Sequence, residues 1–374
     1  MASNSISRIA WCTRLFFVFV ALVAPVGAAR AQGGLLFQGL ADLELWKTDS
    51  ASSLLAHGGG RLAPVVRGDV WAAIEPIRNL VFFGEIYAEM GSGRDEPGNE
   101  ISARQYGLRF SPSDELTFEG GGVRQIVGAF SSRQLSFRNP LISMPDGYAT
   151  TYPYGARIDG SIYMLDYRAG VVSLPLHRSG YTPDPSAALR PAIGAGITPT
   201  VGVRVGVSAT IGPYLNHDLS SSQLLAQDWK SYKQRVIAGD AQISRGYFEG
   251  NMEVAYSNYD VPGRGTPIDG VSFYLEPKYT FTPRFFMAAR YERNDYPFIS
   301  PVAQTFWVAN RVVFNDVEIG GGFRATASTL LKLSIRADYW TPNVNPRAPH
   351  DNGYAVAAQW SHIFDFVELA TRRR

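Results

Sequence analysis

The chain has 374 residues, of which 45% are hydrophobic, 13% aromatic and 18% charged, a composition too apolar for disorder and too poor in charge for an ordinary soluble domain. Its 35 Lys and Arg nearly balance its 33 Asp and Glu without a basic tract, which argues against a nucleic-acid partner. The single cysteine, Cys12, excludes an intramolecular disulfide and a cysteine-ligated metal site.

Residues 1–31 have the pattern of a cleaved export signal. Positive charges at positions 8 and 14 accompany an apolar core over 15–26 and an A-x-A cleavage site at 29–31. A retained membrane helix would need about 18–20 apolar residues, and Pro25 interrupts this core. Cleavage would leave 343 residues with 32 Lys and Arg against 33 Asp and Glu. No later stretch of that length is free of charges, so membrane insertion would have to use β-strands.

Period-two alternation of apolar and polar residues dominates the rest of the chain. In 201–212 the odd positions are Val, Ala or Ile, and the even positions are Gly, Ser, Thr or Arg. Segments 80–90, 270–281 and 330–340 alternate in the same way. Because successive side chains of a strand point to opposite faces, the pattern predicts strands with one apolar and one polar face.

Taken in chain order, the alternation predicts strands at 35–46, 61–75, 80–90, 102–110, 115–126, 149–160, 162–174, 189–197, 201–212, 233–243, 247–258, 270–281, 285–293, 306–325, 330–340 and 353–366. Short turns are predicted at 76–79, 111–114, 198–200, 244–246, 282–284 and 326–329. Long connections take the other positions, at 47–60, 91–101, 127–148, 175–188, 213–232, 259–269, 294–305 and 341–352. Short periplasmic turns at one end and long extracellular loops at the other are typical of an up-and-down barrel.

We predict about sixteen strands, within a range of roughly 14 to 18. The turn near Gly160 is weakly marked, and the alternation changes phase at Phe314 and Asn315. We interpret that change as a β-bulge, because a turn there would place a long loop at the wrong end.

A soluble β-sandwich would also alternate. The number of strands, the export signal and the aromatic residues beside the short turns favour a membrane barrel. These aromatic residues are Phe110, Tyr247, Phe248, Phe281 and Phe285. We therefore predict an all-β fold, a transmembrane antiparallel up-and-down β-barrel formed as one domain by residues 32–374.

In its signal, strand count, loop asymmetry and length, the chain resembles the sixteen-stranded bacterial outer-membrane porins over almost all of 32–374, without a diagnostic short motif. The resemblance implies an integral outer-membrane protein surrounded by lipid, inserted by the barrel-assembly machinery and assembled as a homotrimer. It also implies a channel for small hydrophilic or anionic solutes. In that family the third long loop folds into the barrel and narrows the pore, which here would be 127–148. Many porins end in an aromatic residue, whereas eight residues follow Phe366 here.

A barrel of sixteen strands leaves a water-filled lumen, so residues on the polar parity are expected to line it. The charged ones have both signs and are interpreted either as an electrostatic filter or as a solvated wall of paired charges. They are Arg67, Asp69, Glu85, Glu89, Arg109, Glu119, Arg204, Glu249, Glu253, Lys278, Arg290, Lys332 and Arg336.

Charges in and beside the third long loop are expected at the pore constriction, where they would act on a solute at close range. These are Arg124, Arg133, Arg138, Asp146, Arg157 and Asp159. Four cations against two carboxylates predict a modest anion preference, unless the arginines pair with wall carboxylates such as Glu85 and Glu89.

Two other functional classes are open. A barrel plugged by the same loop would be a non-conducting structural, adhesive or receptor protein. An enzyme is disfavoured, because no G-x-S-x-G or H-E-x-x-H motif is present and only His362 of the five histidines falls in a predicted strand. Glycine triplets at 58–60, 120–122 and 320–322 precede no helix and are interpreted as strand bends or close backbone approaches. No cofactor or metal is predicted.

Overall fold

The computed structural model of the chain describes residues 34–49, 60–92, 97–145, 152–173, 188–215, 225, 227–302, 306–341 and 352–367. The predicted signal at 1–31, Asp146 and four of the five histidines lie outside these ranges. Among the described residues, no helix is long and apolar enough to cross a membrane.

Sixteen antiparallel strands form a closed barrel in which each strand pairs with its neighbours in sequence and the first pairs with the last. The prediction of an all-β, up-and-down, sixteen-stranded barrel is confirmed. The strands are β1 (Leu35–Thr48), β2 (Leu62–Ile77), β3 (Leu80–Ser92), β4 (Pro97–Ser113), β5 (Leu116–Gly122), β6 (Tyr154–Ile162), β7 (Leu165–Val172), β8 (Arg190–Thr200), β9 (Val203–Pro213), β10 (Lys233–Arg245), β11 (Phe248–Tyr259), β12 (Ile268–Thr282), β13 (Phe285–Val302), β14 (Phe306–Thr326), β15 (Thr329–Thr341) and β16 (Gly353–Asp365).

The two faces of the barrel wall differ in polarity as the alternation predicts. On β15, Leu333 and Ile335 point outward and are more than half exposed, whereas Ser334 and Arg336 point inward and are buried. The same inversion occurs on β1, where Leu43 is exposed and its neighbours on the other face are acidic and buried. An apolar outside around a polar inside is the arrangement that lipid surroundings require.

Aromatic side chains cluster on the outside, beside the short turns. Phe281 packs against Tyr279 and Phe285, with ring centroids 4.9 and 5.7 Å apart, and Tyr247 lies 6.5 Å from Tyr279. Such a ring of amphipathic and apolar side chains suits the membrane–water interface. His362 belongs to a second aromatic row, on β16, where its ring lies parallel to that of Trp360 with centroids 5.7 Å apart.

Two long connections predicted from the sequence are wrong. The ladder of β3 and β4 continues to the pair Ser92 and Pro97, and that of β13 and β14 continues to Val302 and Phe306. Segments 91–101 and 294–305 are therefore largely strand. The apolar alternation stops there while the backbone hydrogen bonding continues, because a strand that extends past the lipid no longer needs an apolar outer face.

Two turns lie a few residues later than predicted. The turn expected near Gly160 is formed by Tyr163 and Met164, after the last ladder pair of Ile162 with Leu165. The turn expected at 198–200 lies at 201–202.

The bulge predicted at Phe314 and Asn315 is wrong. Strand β14 passes through both residues without a shift in its pairing with β13 or β15. Phe314 points inward and is 2% exposed, so an apolar side chain on the inner face, rather than an extra residue, changes the apparent phase. One described bulge lies instead on β4, which advances from Ala103 to Tyr106 while β3 advances from Gly84 to Ile86.

The glycine triplet at 120–122 marks a close backbone approach, as predicted. A Cβ on Gly121 would lie 2.0 Å from the Tyr106 carbonyl oxygen, and the residue has φ +127°. Only glycine fits this place without displacing β4.

An aromatic contact lies at the seam where the ladder of β1 and β16 closes the barrel. The rings of Phe37 on β1 and Phe366, just after β16, have centroids 4.7 Å apart, and Phe366 also packs on Gly39. The aromatic residue that follows the last strand, Phe366, is therefore not the C-terminal residue of the chain, and it lies at the seam of the barrel.

Candidate functional site

The connection between β5 and β6 is called L3, and its described residues, 123–145 and 152–153, lie inside the barrel. Strand β5 has seven residues and ends at Gly122, so the chain leaves the wall early and turns inward. At its beginning, Ile126 and Phe130 pack with inner-wall side chains of β7, β8, β10, β11 and β12. Near its other end, Ile142 packs with Trp46 and other inner-wall side chains of β1, β2 and β16. L3 therefore crosses the lumen.

The first contact between L3 and the opposite wall centres on Glu253 of β11, which is fully buried. Its carboxylate accepts hydrogen bonds from the backbone N–H groups of Ala129 (2.9 Å) and Phe130 (3.3 Å). The preceding Gly128 has φ +80°, and a Cβ there would lie 2.0 Å from the Glu253 carboxylate. Arg168 of β7 donates to the Gly128 carbonyl at 3.0 Å. Glycine lets the loop backbone approach the buried carboxylate.

The second contact centres on Lys332 of β15, which is 5% exposed. Its ammonium donates to the backbone carbonyls of Ser136 (2.9 Å), Asn139 (3.2 Å) and Leu141 (2.9 Å). The Ser136 hydroxyl donates to Asp42 of β1 at 2.7 Å. A lysine with three donors thus orders three carbonyl groups that do not belong to a helix or strand.

The third contact is a row of charges on neighbouring strands below the end of L3. Arg290, Glu318 and Arg336 are cross-strand neighbours on β13, β14 and β15. Arg290 donates to Glu318 at 2.8 Å and to the Ser143 hydroxyl of L3 at 2.6 Å. Glu318 also accepts from the backbone N–H groups of Ile142 and Ser143. The carboxylate is therefore shared between the wall and the loop.

Arg133 of L3 forms a partly buried ion pair with Glu276 of β12 and donates to the Tyr274 hydroxyl at 3.1 Å. Burial alone would lower the pKa of the Arg133 guanidinium, but the Glu276 charge and the Tyr274 hydroxyl outweigh it and raise that pKa. The guanidinium stays charged. The wall carboxylate that Arg133 contacts is Glu276, rather than Glu85 or Glu89.

The residues predicted at the constriction do not form one cluster. Arg138 lies in L3, where its guanidinium donates to the Ser132 carbonyl at 3.3 Å. Arg157 lies on the wall strand β6, where it pairs with Asp159 at 2.7 Å and Glu119 at 3.4 Å and donates to the Arg124 carbonyl at 3.3 Å. Arg124 belongs to L3, because β5 ends at Gly122 rather than at residue 126. Asp146 lies outside the described residues.

The residues predicted to line the lumen wall all face the interior, mostly as ion pairs. Arg67 pairs with Glu44 and Glu89, at 2.5 and 2.7 Å. Among the described residues, the other pairs that include a predicted wall residue are Arg104 with Asp69 and Glu85, Arg109 and Arg157 with Glu119, Arg204 with Asp166 and Asp240, Lys278 with Glu249, Arg290 with Glu276 and Glu318, and Arg336 with Asp316 and Asp338.

One interior residue that the sequence reading missed is Arg104 of β4. Its guanidinium lies 3.4 Å from the Tyr87 ring centroid and 2.8 Å from Asp69. Strict alternation that places Arg109 inside would place Arg104 outside, and the β4 bulge between them reverses the parity. The segment carries no turn signal at this point, so only the pairing register shows the bulge.

L3 packs closely against the wall on the side of β1 to β4, and the interior is more open toward the short turns. A gap of about 20 Å³, enough for one water, separates L3 from the wall at Arg67, Tyr87 and Arg104. Below L3, a cavity of about 330 Å³ lies against β8 to β12. Arg109 and Glu249, near the short turns, have 39% and 43% of their side chains exposed. Among the described residues, no group of three or more His, Cys, Asp or Glu side chains could hold a metal ion.

Comparison with known proteins identifies the fold. No protein-family model and no curated protein sequence matches the chain. A loop L8 deletion mutant of OmpT, an outer membrane protein of Vibrio cholerae, matches with a TM-score of 0.60 at 12% identity, over 89% of this chain and 99% of that chain. An anion-selective porin from Comamonas acidovorans matches with a TM-score of 0.60 at 10% identity, over 89% and 100%. A trimer form of in-vitro folded OmpT matches with a TM-score of 0.55 at 12% identity, over 88% and 99%.

The predicted resemblance to outer-membrane porins is confirmed at the level of the fold. The closed sixteen-stranded barrel and its apolar outer surface are those of integral outer-membrane barrels.

Proposed function

We propose that the chain forms a water-filled channel of the bacterial outer membrane, through which small hydrophilic solutes diffuse passively. The observation that carries this proposal is L3, which crosses the lumen of a closed barrel and is fixed there by Glu253, Lys332 and Glu318. A barrel of sixteen strands is wide enough to hold water, and a loop across it sets the size of what passes.

The proposed channel has a modest anion preference. Ion pairing weakens the contribution of Arg133 and Arg157, because each lies beside a carboxylate. Arg138 contacts a backbone carbonyl, and its charge therefore acts more fully on a passing solute. The Comamonas acidovorans porin with a similar fold is anion-selective, which supports this sign of preference.

The proposed mature protein consists of residues 32–374, after removal of the signal at 1–31. It would be folded into the outer-membrane lipid by the barrel-assembly machinery and would form a homotrimer. A trimer form of OmpT has the same barrel fold, which supports that assembly.

Swelling of proteoliposomes tests the channel directly. Refolded protein of residues 32–374 is reconstituted, and the swelling rate is measured in sugars of increasing size, with protein-free vesicles as control. We expect fast swelling in small sugars and a sharp fall for larger ones. A correctly folded barrel whose vesicles swell no faster than the control would contradict the proposal.

A plugged barrel is the second candidate, favoured by the tight packing of the middle of the lumen. Glu253, Glu276 and Arg290 are at most 1% exposed, and the gap beside Arg104 holds about 20 Å³. Absence of swelling together with a folded, heat-modifiable barrel would support this structural, adhesive or receptor role.

A further inference from the structure

The cavity of about 330 Å³ lies between L3 and the wall strands β8 to β12, on the short-turn side of the loop. Its volume falls in the range of roughly 300–1,000 Å³ that is typical of small-molecule sites. Arg133, Arg138 and Pro140 of L3 form one side, and residues of β9 to β12 form the other.

Cations dominate the charged groups of this cavity. Arg133 and Arg138 reach it from L3, and Arg204 and Lys278 reach it from β9 and β12. The one acidic residue in its lining is Glu249. L3 and the wall strands therefore contribute cations from the two sides of the cavity.

The carboxylates that balance two of these cations lie behind the cavity surface. Glu276, the partner of Arg133, is fully buried. Arg204 pairs with Asp240, whose carboxylate is 1% exposed, and with Asp166, whose carboxylate is 33% exposed. None of these three carboxylates lines the cavity. A solute in the cavity therefore meets the guanidinium groups before their counter-charges, and the low-dielectric wall strengthens that interaction.

Neutral hydrogen-bonding groups complete the lining. Gln242 and Asn251 contribute side-chain amides, and Thr198 and Ser244 contribute hydroxyl groups. Amides and hydroxyls can donate to oxyanions as well as to sugars, whereas arginine forks match carboxylate and phosphate oxygens.

We propose that this cavity is a binding site for small solutes that carry a carboxylate or phosphate group, held between Arg138 and the wall cations. The inference rests on the proposed channel, because it gives that channel a solute class and a place where the solute pauses below L3.

Equilibrium binding to refolded full-length barrel in detergent tests the site without relying on conduction. Succinate and inorganic phosphate serve as separate probes, and glucose serves as the uncharged control. The informative variant is Arg138→Gln, because Arg138 contacts a backbone carbonyl and its removal strands no carboxylate. The matched control is Arg109→Gln, which removes an interior cation outside the cavity, where Glu119 keeps Arg157 as a partner.

We expect saturable binding of at least one anionic probe, weakened about tenfold or more by Arg138→Gln and less than about twofold by Arg109→Gln. Binding of phosphate alone or of succinate alone would support the site and identify its oxyanion. No binding of either anion, or equal affinity of wild type and Arg138→Gln, would overturn the proposed binding site. Swelling of vesicles would in that case still support the proposed channel. Anion binding without swelling would support the site and refute the channel.

Discussion

At the scale of single residues, the electrostatic character of the barrel interior depends on which charged side chains form ion pairs and on which partners they pair with. Arg104 shows this most clearly, because it lies between Asp69 and Glu85 and stacks on Tyr87. The Arg104 side chain faces L3 because β4 contains one extra residue at a bulge. No local sequence feature predicts that bulge. The charges of the wall are predictable from parity, but their pairing requires the register.

Replacement of Arg104 by Gln should shift the channel toward cations. The variant leaves the carboxylates of Asp69 and Glu85 without their guanidinium, so at a pH high enough to ionise both of them the cation-to-anion permeability ratio should rise by an amount on the order of twofold. The measurement is the reversal potential under a KCl gradient. Arg235→Gln is the control, since Arg235 is an exposed residue that pairs with Asp260 at the outer end of the wall. An unchanged reversal potential for Arg104→Gln would show that this wall does not act on the permeating ions.

Replacement of Lys332 by Met should loosen L3. Three buried loop carbonyls would lose their donor, which is expected to lower the free energy of unfolding by about 1–3 kcal/mol. Urea unfolding in lipid vesicles measures this loss, and open-channel noise measures the loop motion. Lys233→Met, at an exposed position at the start of β10, should change the free energy of unfolding by less than about 0.5 kcal/mol. Equal stability of the two variants would show that Lys332 does not hold the loop.

At the scale of elements, L3 is placed by the short strand before it and by polar groups of strands far away in sequence. Its position as a long connection after the fifth strand is visible in the sequence, and the resemblance to porins implies its role. Its partners Glu253, Glu276 and Glu318 are 123 or more residues away from the loop groups that they bind. No local pattern links such distant residues, so the loop is predictable while its contacts are not.

The hairpin of β4 and β5 gives a matched pair of glycine substitutions. Gly121→Ala places a Cβ 2.0 Å from the Tyr106 carbonyl in a residue with φ +127°, and should destabilise the barrel by about 2 kcal/mol or more. Gly120→Ala is the control, because nothing lies within 4 Å of its Cβ. Thermal unfolding on unheated and heated gels compares them. A Gly121→Ala barrel as stable as Gly120→Ala would refute the close-approach interpretation.

At the scale of the whole molecule, the fold follows from alternation that persists through the chain. The segment at 201–212 shows why alternation predicts the fold. A strand between lipid and water needs an apolar outer face and a polar inner face, so apolar and polar residues must alternate along it. The predictions fail where that constraint ends, as beyond residue 91 and beyond residue 294, and where an apolar side chain such as Phe314 points inward. The contact of Phe37 with Phe366 at the seam of the barrel is likewise visible only in three dimensions.

The most direct test of the account is the single-channel conductance of the wild-type barrel against a variant in which residues 126–143 are replaced by a short Gly-Ser link. The double variant Lys332→Met/Glu253→Gln keeps the length of L3 but weakens its wall contacts. It provides a second test of L3 if the shortened chain folds poorly. We expect a small, stable unit conductance for the wild type and a several-fold larger one for the shortened loop, with more open-channel noise in the double variant. Equal conductance of the wild type and both variants, or no conductance from any of them when folded, would contradict a channel whose size is set by L3.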